Sequence, residues 1–200
     1  MDILLLEDDK SLHKSIKRLL EIDKHRVTSF YNGSEVVDTE DSYNYDLYLL
    51  DINVPGINGL ELLNLIYSYN PLSKVIMLSA NIEFEYVKQA YDLGCMDYIK
   101  KPFHIEELRL KINKYQSLSL SLLDTLPLKP NATLTKKEKR FLILLLEQRG
   151  SLVSYDMIAL KLYRDTLSYM DSLRTLVRRV RAKLANDCIE CIHKEGYIIR

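Results

Sequence analysis

The chain has 200 residues, 47% of them apolar, enough to bury one large core or two ordinary ones. Its formal charge is zero, yet residues 1–123 hold 13 Lys and Arg against 19 Asp and Glu, while residues 124–200 hold 15 against 9. An acidic half joined to a basic half points to separate tasks, with a polyanion as partner of the second. No apolar run reaches the roughly 18 residues of a membrane span. The three cysteines, an odd number, argue against a disulfide framework. No signal peptide precedes the apolar run at Ile3, so a cytoplasmic location and no membrane partner are expected.

Up to about residue 115, short apolar strands alternate with amphipathic helices. Strands are predicted near 2–6, 26–30, 45–50, 74–78 and 96–99, and helices near 10–23, 33–40, 58–69, 82–93 and 104–115. Such βα repetition is the sequence form of an α/β fold, a five-stranded parallel sheet covered on both faces. Pro55-Gly56 makes a turn, Asn58-Gly59 opens the next helix, and Asn70-Pro71 closes it.

The ends of these strands carry polar chemistry. Glu7-Asp8-Asp9 follows ILLL, Asp51 follows LYLL, Ser79 ends VIML, and Lys101 follows DYIK. In an open parallel sheet, ligands gather outside the carboxyl ends of the strands, so these residues read as one site. Crowded carboxylates raise one another's pKa unless a cation sits among them. Hard oxygen ligands in an incomplete cage suit Mg²⁺ shared with a phosphate, and the chemistry implied is phosphoryl transfer onto Asp51.

From 116 to 130 the texture changes to SLSLSLLDTLPLKP, whose alternation favours a half-buried strand or an extended linker. The basic half opens with a capping box, Thr135 and Glu138, ahead of FLILLL. Gly150 ends that helix, Ser154 caps a second through about Tyr163, and a third runs from about Tyr169 to Leu184. The tail CIECIHKEGYII reads as two short strands around a turn containing Gly196, which completes a winged helix. On the third helix Leu173, Leu176, Val177, Val180 and Leu184 recur at core spacing. Arg174, Thr175, Arg178, Arg179 and Arg181 cover the other side, a pattern suited to the major groove of double-stranded DNA. His193 and Lys194 on the hairpin are placed to reach an adjacent phosphate or minor groove. Cys188 and Cys191 form one C-x-x-C, half of a zinc site at most, and are read as ordinary packing.

The acidic cluster in LLLED, the segment LLDINVPG, Ser79-Ala80 and DYIKKPF together resemble a response-regulator receiver domain over residues 1–115. LTKKEKRFLILLLEQRGSLVSYDMI and IHKEGYI resemble the winged-helix output domain of the OmpR/PhoB family over 133–200, leaving 116–132 as a linker or reduced sheet. The resemblance implies a doubly wound, flavodoxin-like (CheY-like) receiver followed by a winged helix-turn-helix. It implies that Asp51 accepts a phosphoryl group from a sensor histidine kinase. Mg²⁺ would be held by Glu7, Asp8, Asp51 and the backbone carbonyl of Asn53; an alternative register makes Asp9 the ligand. Lys101, joined to Pro102 by a cis peptide, would pair with a phosphoryl oxygen, Ser79 would donate to another, and Tyr98 would be the switch aromatic.

Family members dimerise through the 82–115 face, where Asp97 with Lys111, and Glu107, retain charge-pair positions, while Tyr91 and Met96 would add apolar contact. Arg178 is expected to read bases and Arg181 to contact a phosphate. The dimer would engage promoter half-sites and RNA polymerase. The implied protein is a transcription regulator, not a turnover enzyme, with an orphan regulator that binds DNA without phosphorylation as the rival. Three departures stand out. Asn53 replaces the usual methionine, Tyr163 the usual Trp, and the 116–133 span is too short for the usual intervening sheet, so weak docking between the halves is expected.

Overall fold

The computed structural model describes residues 1–39, 45–70, 72–80, 84–163 and 169–200. Positions 40 and 82–83 of the predicted helices, and Pro71 after the third, lie outside them. The chain divides into two compact units, Met1–Ile112 and Asn113–Arg200.

In the first unit, β1 (Asp2–Leu6), β2 (Arg26–Phe30), β3 (Leu47–Asp51), β4 (Val75–Ser79) and β5 (Asp97–Lys100) form one parallel sheet in the order β2-β1-β3-β4-β5. β1, β3 and β4 are almost wholly buried, which explains why they read as continuous apolar runs rather than alternating ones. Leu4, Leu6, Tyr48, Leu50 and Met77 pack with Val36, Leu62, Leu63 and Ile66 in one core cluster. These last come from α2 (Gly33–Val37) and α3 (Gly59–Tyr69). The other helices are α1 (Lys10–Ile22), α4 (Phe84–Asp92) and α5 (Ile105–Ser121). Arg109 of α5 forks onto Asp23 just after α1 at 2.8 and 3.2 Å, so these two helices neighbour each other. Register sets the strand ends level: Leu6 lies opposite Leu50, Asp51 opposite Leu78, and Ser79 opposite Lys100.

The expectation for 116–130 is corrected. Residues 116–121 continue α5, residues 122–125 make a 3₁₀ turn, and Leu128 forms only an isolated bridge with Leu184. Among the described residues no reduced sheet stands there. Extending an existing helix costs far less than starting a new element, and Leu is a good helix former. The alternating leucines find no shared apolar face: Leu118 and Leu120 stay exposed, while Leu123 is buried.

The second unit carries α6 (Lys136–Glu147), α7 (Tyr155–Leu162) and α8 (Met170–Lys183). Its antiparallel sheet joins β6 (Val153–Ser154), β7 (Ile189–Ile192) and β8 (Gly196–Ile199) in the order β6-β8-β7. The hairpin is the one expected, but its turn lies at 193–195 and Gly196 opens β8 instead of sitting in the turn; the two-residue β6 is too short to show as a pattern. It sits so close that a Cβ on Gly196 would lie 2.0 Å from the Val153 carbonyl oxygen. Tyr197 packs edge-on against Phe141 and Tyr155, closing the core.

The capping box on α6 is tied to the far end of α8. Glu138 accepts from the Thr135 N–H at 2.7 Å and from Lys183 Nζ at 2.6 Å while only 2% exposed. Burial pushes its carboxyl up, but hydrogen bonds from Lys183 and Thr135 outweigh that and hold it below its ordinary value. Its contribution is complete above the unfolded value of about 4.3 and disappears as pH falls through the lowered folded value. Glu138→Gln is therefore expected to destabilise this unit by about 1–3 kcal/mol at neutral pH. Thermal unfolding across pH should show the gap closing in acid; a gap constant from neutral into acid would contradict the assignment.

Candidate functional site

The parallel register gathers the polar strand ends at one edge of the sheet. The Glu7 N–H donates to the Phe30 carbonyl at 3.1 Å, which extends β1 by one residue and carries the Glu7 side chain inward. Glu7 is fully buried, Asp51 is 4% exposed and Ser79 is fully buried, whereas Asp8 is exposed. Glu7, Asp8 and Asp51 each offer a carboxylate oxygen, all within 4.8 Å of one another.

Lys101 enters this group from the next strand end. Its N–H donates to the Ser79 carbonyl at 2.8 Å, and the peptide to Pro102 is cis. Its Nζ lies 2.6 Å from Asp51 Oδ2 and 2.7 and 2.6 Å from the two Glu7 oxygens. Burial pushes the Glu7 carboxyl up to about 7; Lys101 pulls it down and the Asp51 charge adds to the rise. Burial works against the Lys101 charge, but hydrogen bonds to Asp51 and Glu7 prevail and raise its pKa. Asp51 Oδ1 accepts the Asn53 N–H at 3.0 Å. Glu7 Oε2 remains buried with no aligned hydrogen bond. Three carboxylates gathered this closely are hard oxygen donors that fit a hard divalent ion such as Mg²⁺.

The register question is decided against Asp9. Its carboxylate caps α1, accepting from the Ser11 and Leu12 N–H groups at 2.8 Å, and those bonds lower its pKa. Glu7 and Asp8 are the pair that meets Asp51. A feature missed in the sequence is Gly59. A Cβ there would lie 2.2 Å from the Asp51 carbonyl oxygen, so only glycine lets α3 start beside the acceptor. Asn58-Gly59 signalled the helix start but not this clearance.

Tyr98 lies opposite Met77, two residue pairs below the Ser79 level, half-buried against the core cluster. Asp97 and Lys111 pair with each other within the chain at 2.8 Å, and Glu107 is exposed. Phe84 and Leu110 are 71% and 69% exposed, apolar surface that sequence reading did not single out on this face.

On α8, Leu173, Leu176, Val177 and Val180 are buried as expected. Arg174, Arg178 and Arg179 are exposed and Thr175 half-buried. His193 and Lys194 stand exposed at the hairpin turn, where Lys194 adopts a left-handed φ of 65°. Arg181 is corrected. It is partly buried and donates to the Ile189 carbonyl at 2.5 Å, with Asp187 at 3.5 Å, so it anchors β7 rather than facing outward with the other arginines. Cys188 and Cys191 are free, and no metal-binding cluster forms around them among the described residues.

Comparison with known proteins gives two family matches. Residues 3–113 match the response regulator receiver domain, and residues 129–199 match the C-terminal domain of transcriptional regulatory proteins. The chain is a response regulator. It is 30% identical to the transcriptional regulatory protein CrdR of Helicobacter pylori, across 98% of this chain and 96% of that one. Its fold is that of DrrB, an OmpR/PhoB homologue from Thermotoga maritima, at a TM-score of 0.55 and 23% identity, over 99% and 98% of the two chains. The receiver also resembles TrrA of Thermotoga maritima, solved in complex with Mg²⁺-BeF, at a TM-score of 0.51 and 30% identity, over 57% of this chain and 98% of that one. This response regulator thus joins a receiver to a DNA-binding domain of the kind found in transcription regulators. Among its described residues no helix is long and apolar enough to cross a membrane.

Removing the ammonium should expose the strain among the acids. Lys101→Met is expected to cost the receiver about 3 kcal/mol at neutral pH, because two nearly buried carboxylates lose their partner. The deficit should shrink on acidification as Glu7, pushed up to about 7, takes up a proton. Chemical denaturation that shows no loss would contradict the bridging role.

Proposed function

We propose that this response regulator is switched by phosphorylation of Asp51 and then binds promoter DNA as a dimer. The observation that carries the reading is the Lys101 ammonium seated between Asp51 and Glu7 at 2.6–2.7 Å, at the mouth of the parallel sheet. An Asp51 oxygen attacks the phosphorus of a phosphohistidine on a sensor histidine kinase, the N–P bond breaks, and the imidazole leaves. Glu7, Asp8, Asp51 and the Asn53 carbonyl would hold Mg²⁺, which when bound neutralises charge on the transferred group. The Mg²⁺-BeF complex of TrrA supports that ligand class. Lys101 moves its hydrogen bond from the Asp51 carboxylate to a phosphoryl oxygen, and Ser79 donates to another. Tyr98, half-buried beside this level of the sheet, follows the hydroxyl inward. Such chemistry modifies the protein itself, so the regulator is not a turnover enzyme.

The population shift is read by the 82–115 face, of which 82–83 lie outside the described residues. Asp97 and Lys111 already neutralise each other within one chain, so Phe84, Tyr91, Met96 and Leu110 carry most of the dimer contact, with Glu107 at its rim. Two tethered winged helices then engage adjacent half-sites through effective concentration. Arg178 reads base edges, helped by Arg174, Thr175 and Arg179, and His193 and Lys194 of the hairpin meet the backbone. RNA polymerase meets the promoter-bound dimer, and a DNA partner places the regulator in the cytoplasm.

Incubation with acetyl phosphate and Mg²⁺ should add one phosphoryl mass to the wild type and none to Asp51→Asn, with a shift toward dimer in sizing. DNA binding that is equal in both proteins would instead make it an orphan regulator. Asn53 is exposed beside the acceptor, where its amide can hold a water near the acyl phosphate. Asn53→Met is expected to lengthen the phosphorylated lifetime several-fold. An unchanged dephosphorylation rate would dispose of that role.

A further inference from the structure

We propose that an open cleft of about 450 Å³ in the second unit seats a backbone phosphate of duplex DNA, with Lys137 of α6 as its principal ligand. The proposal rests on the reading of α8 as the DNA-contacting helix and adds a residue from outside it. The first turn of α6 gives Thr135 and Lys137, Tyr163 closes α7, and α8 contributes Ser172, Thr175 and Arg179.

Three observations converge on an anion. Lys137 Nζ lies 3.4 Å from the centre of the Tyr163 ring, which holds the ammonium in place by a cation–π contact while leaving its N–H donors available. Desolvation of its ammonium lowers its pKa although the residue as a whole is exposed, so an added negative charge there would be favoured. Neither Lys137 nor Arg179 is ion-paired among the described residues, and the two carboxylates nearby are already engaged. Glu138 is held by Lys183 and the Thr135 N–H, and Asp171 by Arg174 at 3.2 Å. The cleft therefore presents two unneutralised cations beside the hydroxyl-bearing Ser172 and Thr175.

A phosphodiester matches that set, with a single charge and acceptor oxygens for ammonium, guanidinium and hydroxyl donors. The source is duplex DNA rather than a free anion because the cleft shares Thr175 and Arg179 with the basic face of α8. A helix laid in the major groove brings its flank to the adjoining phosphates. Tyr163, at the end of α7, acts here as a positioning residue: its ring is the platform that fixes Lys137.

The test uses the full-length protein and fluorescent duplexes of two unrelated sequences, titrated by anisotropy over a range of salt. Lys137→Met, which keeps the stem over the ring, should weaken binding several-fold on both duplexes and reduce the salt slope by about 0.9, one phosphate contact. Lys137→Arg should restore both, which guards against a folding artefact. Arg178→Ala, measured alongside, reports on α8 itself. Weakened binding in Arg178→Ala with wild-type affinity and slope in Lys137→Met would overturn the cleft while leaving the α8 reading intact. No binding by the wild type, or none lost in Arg178→Ala, would sink the α8 reading and the cleft with it. If Lys137→Met loses a response to inorganic phosphate but keeps DNA affinity, the DNA assignment is overturned in favour of a small anion.

Discussion

A single ammonium lies between two carboxylates that are almost wholly out of water, and the rest of the receiver is arranged to keep it there. Neither acid is tolerable in that position alone, since burial has already driven Glu7 up to about 7. The parallel register of β1, β3, β4 and β5 brings Glu7, Asp51, Ser79 and Lys101 to one level, and the buried runs behind them leave no room to retreat. Gly59 and the Asn53 N–H complete the fit around Asp51 from the loop that follows it. The site is thus held under electrostatic tension that a divalent ion and a phosphoryl group would rebalance. Under the proposed switch, one covalent event on Asp51 would be felt at Ser79 and, two levels down the sheet, at Tyr98.

The two units use charge differently. The receiver concentrates acids where they repel, whereas the winged helix spends its interior charges on scaffolding. Glu138 and Lys183 pin the start of α6 to the end of α8, and Arg181 pins α8 to β7. What remains exposed on α8 and its flank is a set of cations with no ion pair among the described residues, Arg178, Arg179 and Lys137 among them. These exposed cations contribute to the net +6 of residues 124–200.

Much of this was legible in the chain. Buried parallel strands announce themselves as apolar runs, and charge after three of these runs with a hydroxyl after a fourth pointed to the site before any geometry was known. Legibility failed where local pattern and context disagreed. The Ser-Leu alternation after residue 116 has the period of a strand, yet an α-helix already under way from Ile105 absorbed it. Arg181 has the spacing of an outward arginine, but a carbonyl at Ile189, eight residues on, captured it. Asp8 and Asp9 are indistinguishable as neighbours in a string; the N–H groups of Ser11 and Leu12 separate them by claiming Asp9 as a cap. Lys137 was invisible because its partner Tyr163 is far along the chain and on another helix.

The central claim is that Glu7 and Asp51, bridged by Lys101, form with Asp8 a divalent-ion site built around the acceptor. Amide chemical shifts followed during a Mg²⁺ titration of the intact protein test it most directly. The account predicts one saturable site, with shifts centred on residues 7–9, 51–53 and 101, and marked weakening in Asp8→Asn. Shifts that never saturate, or that survive unchanged when Asp8 loses its charge, would contradict it.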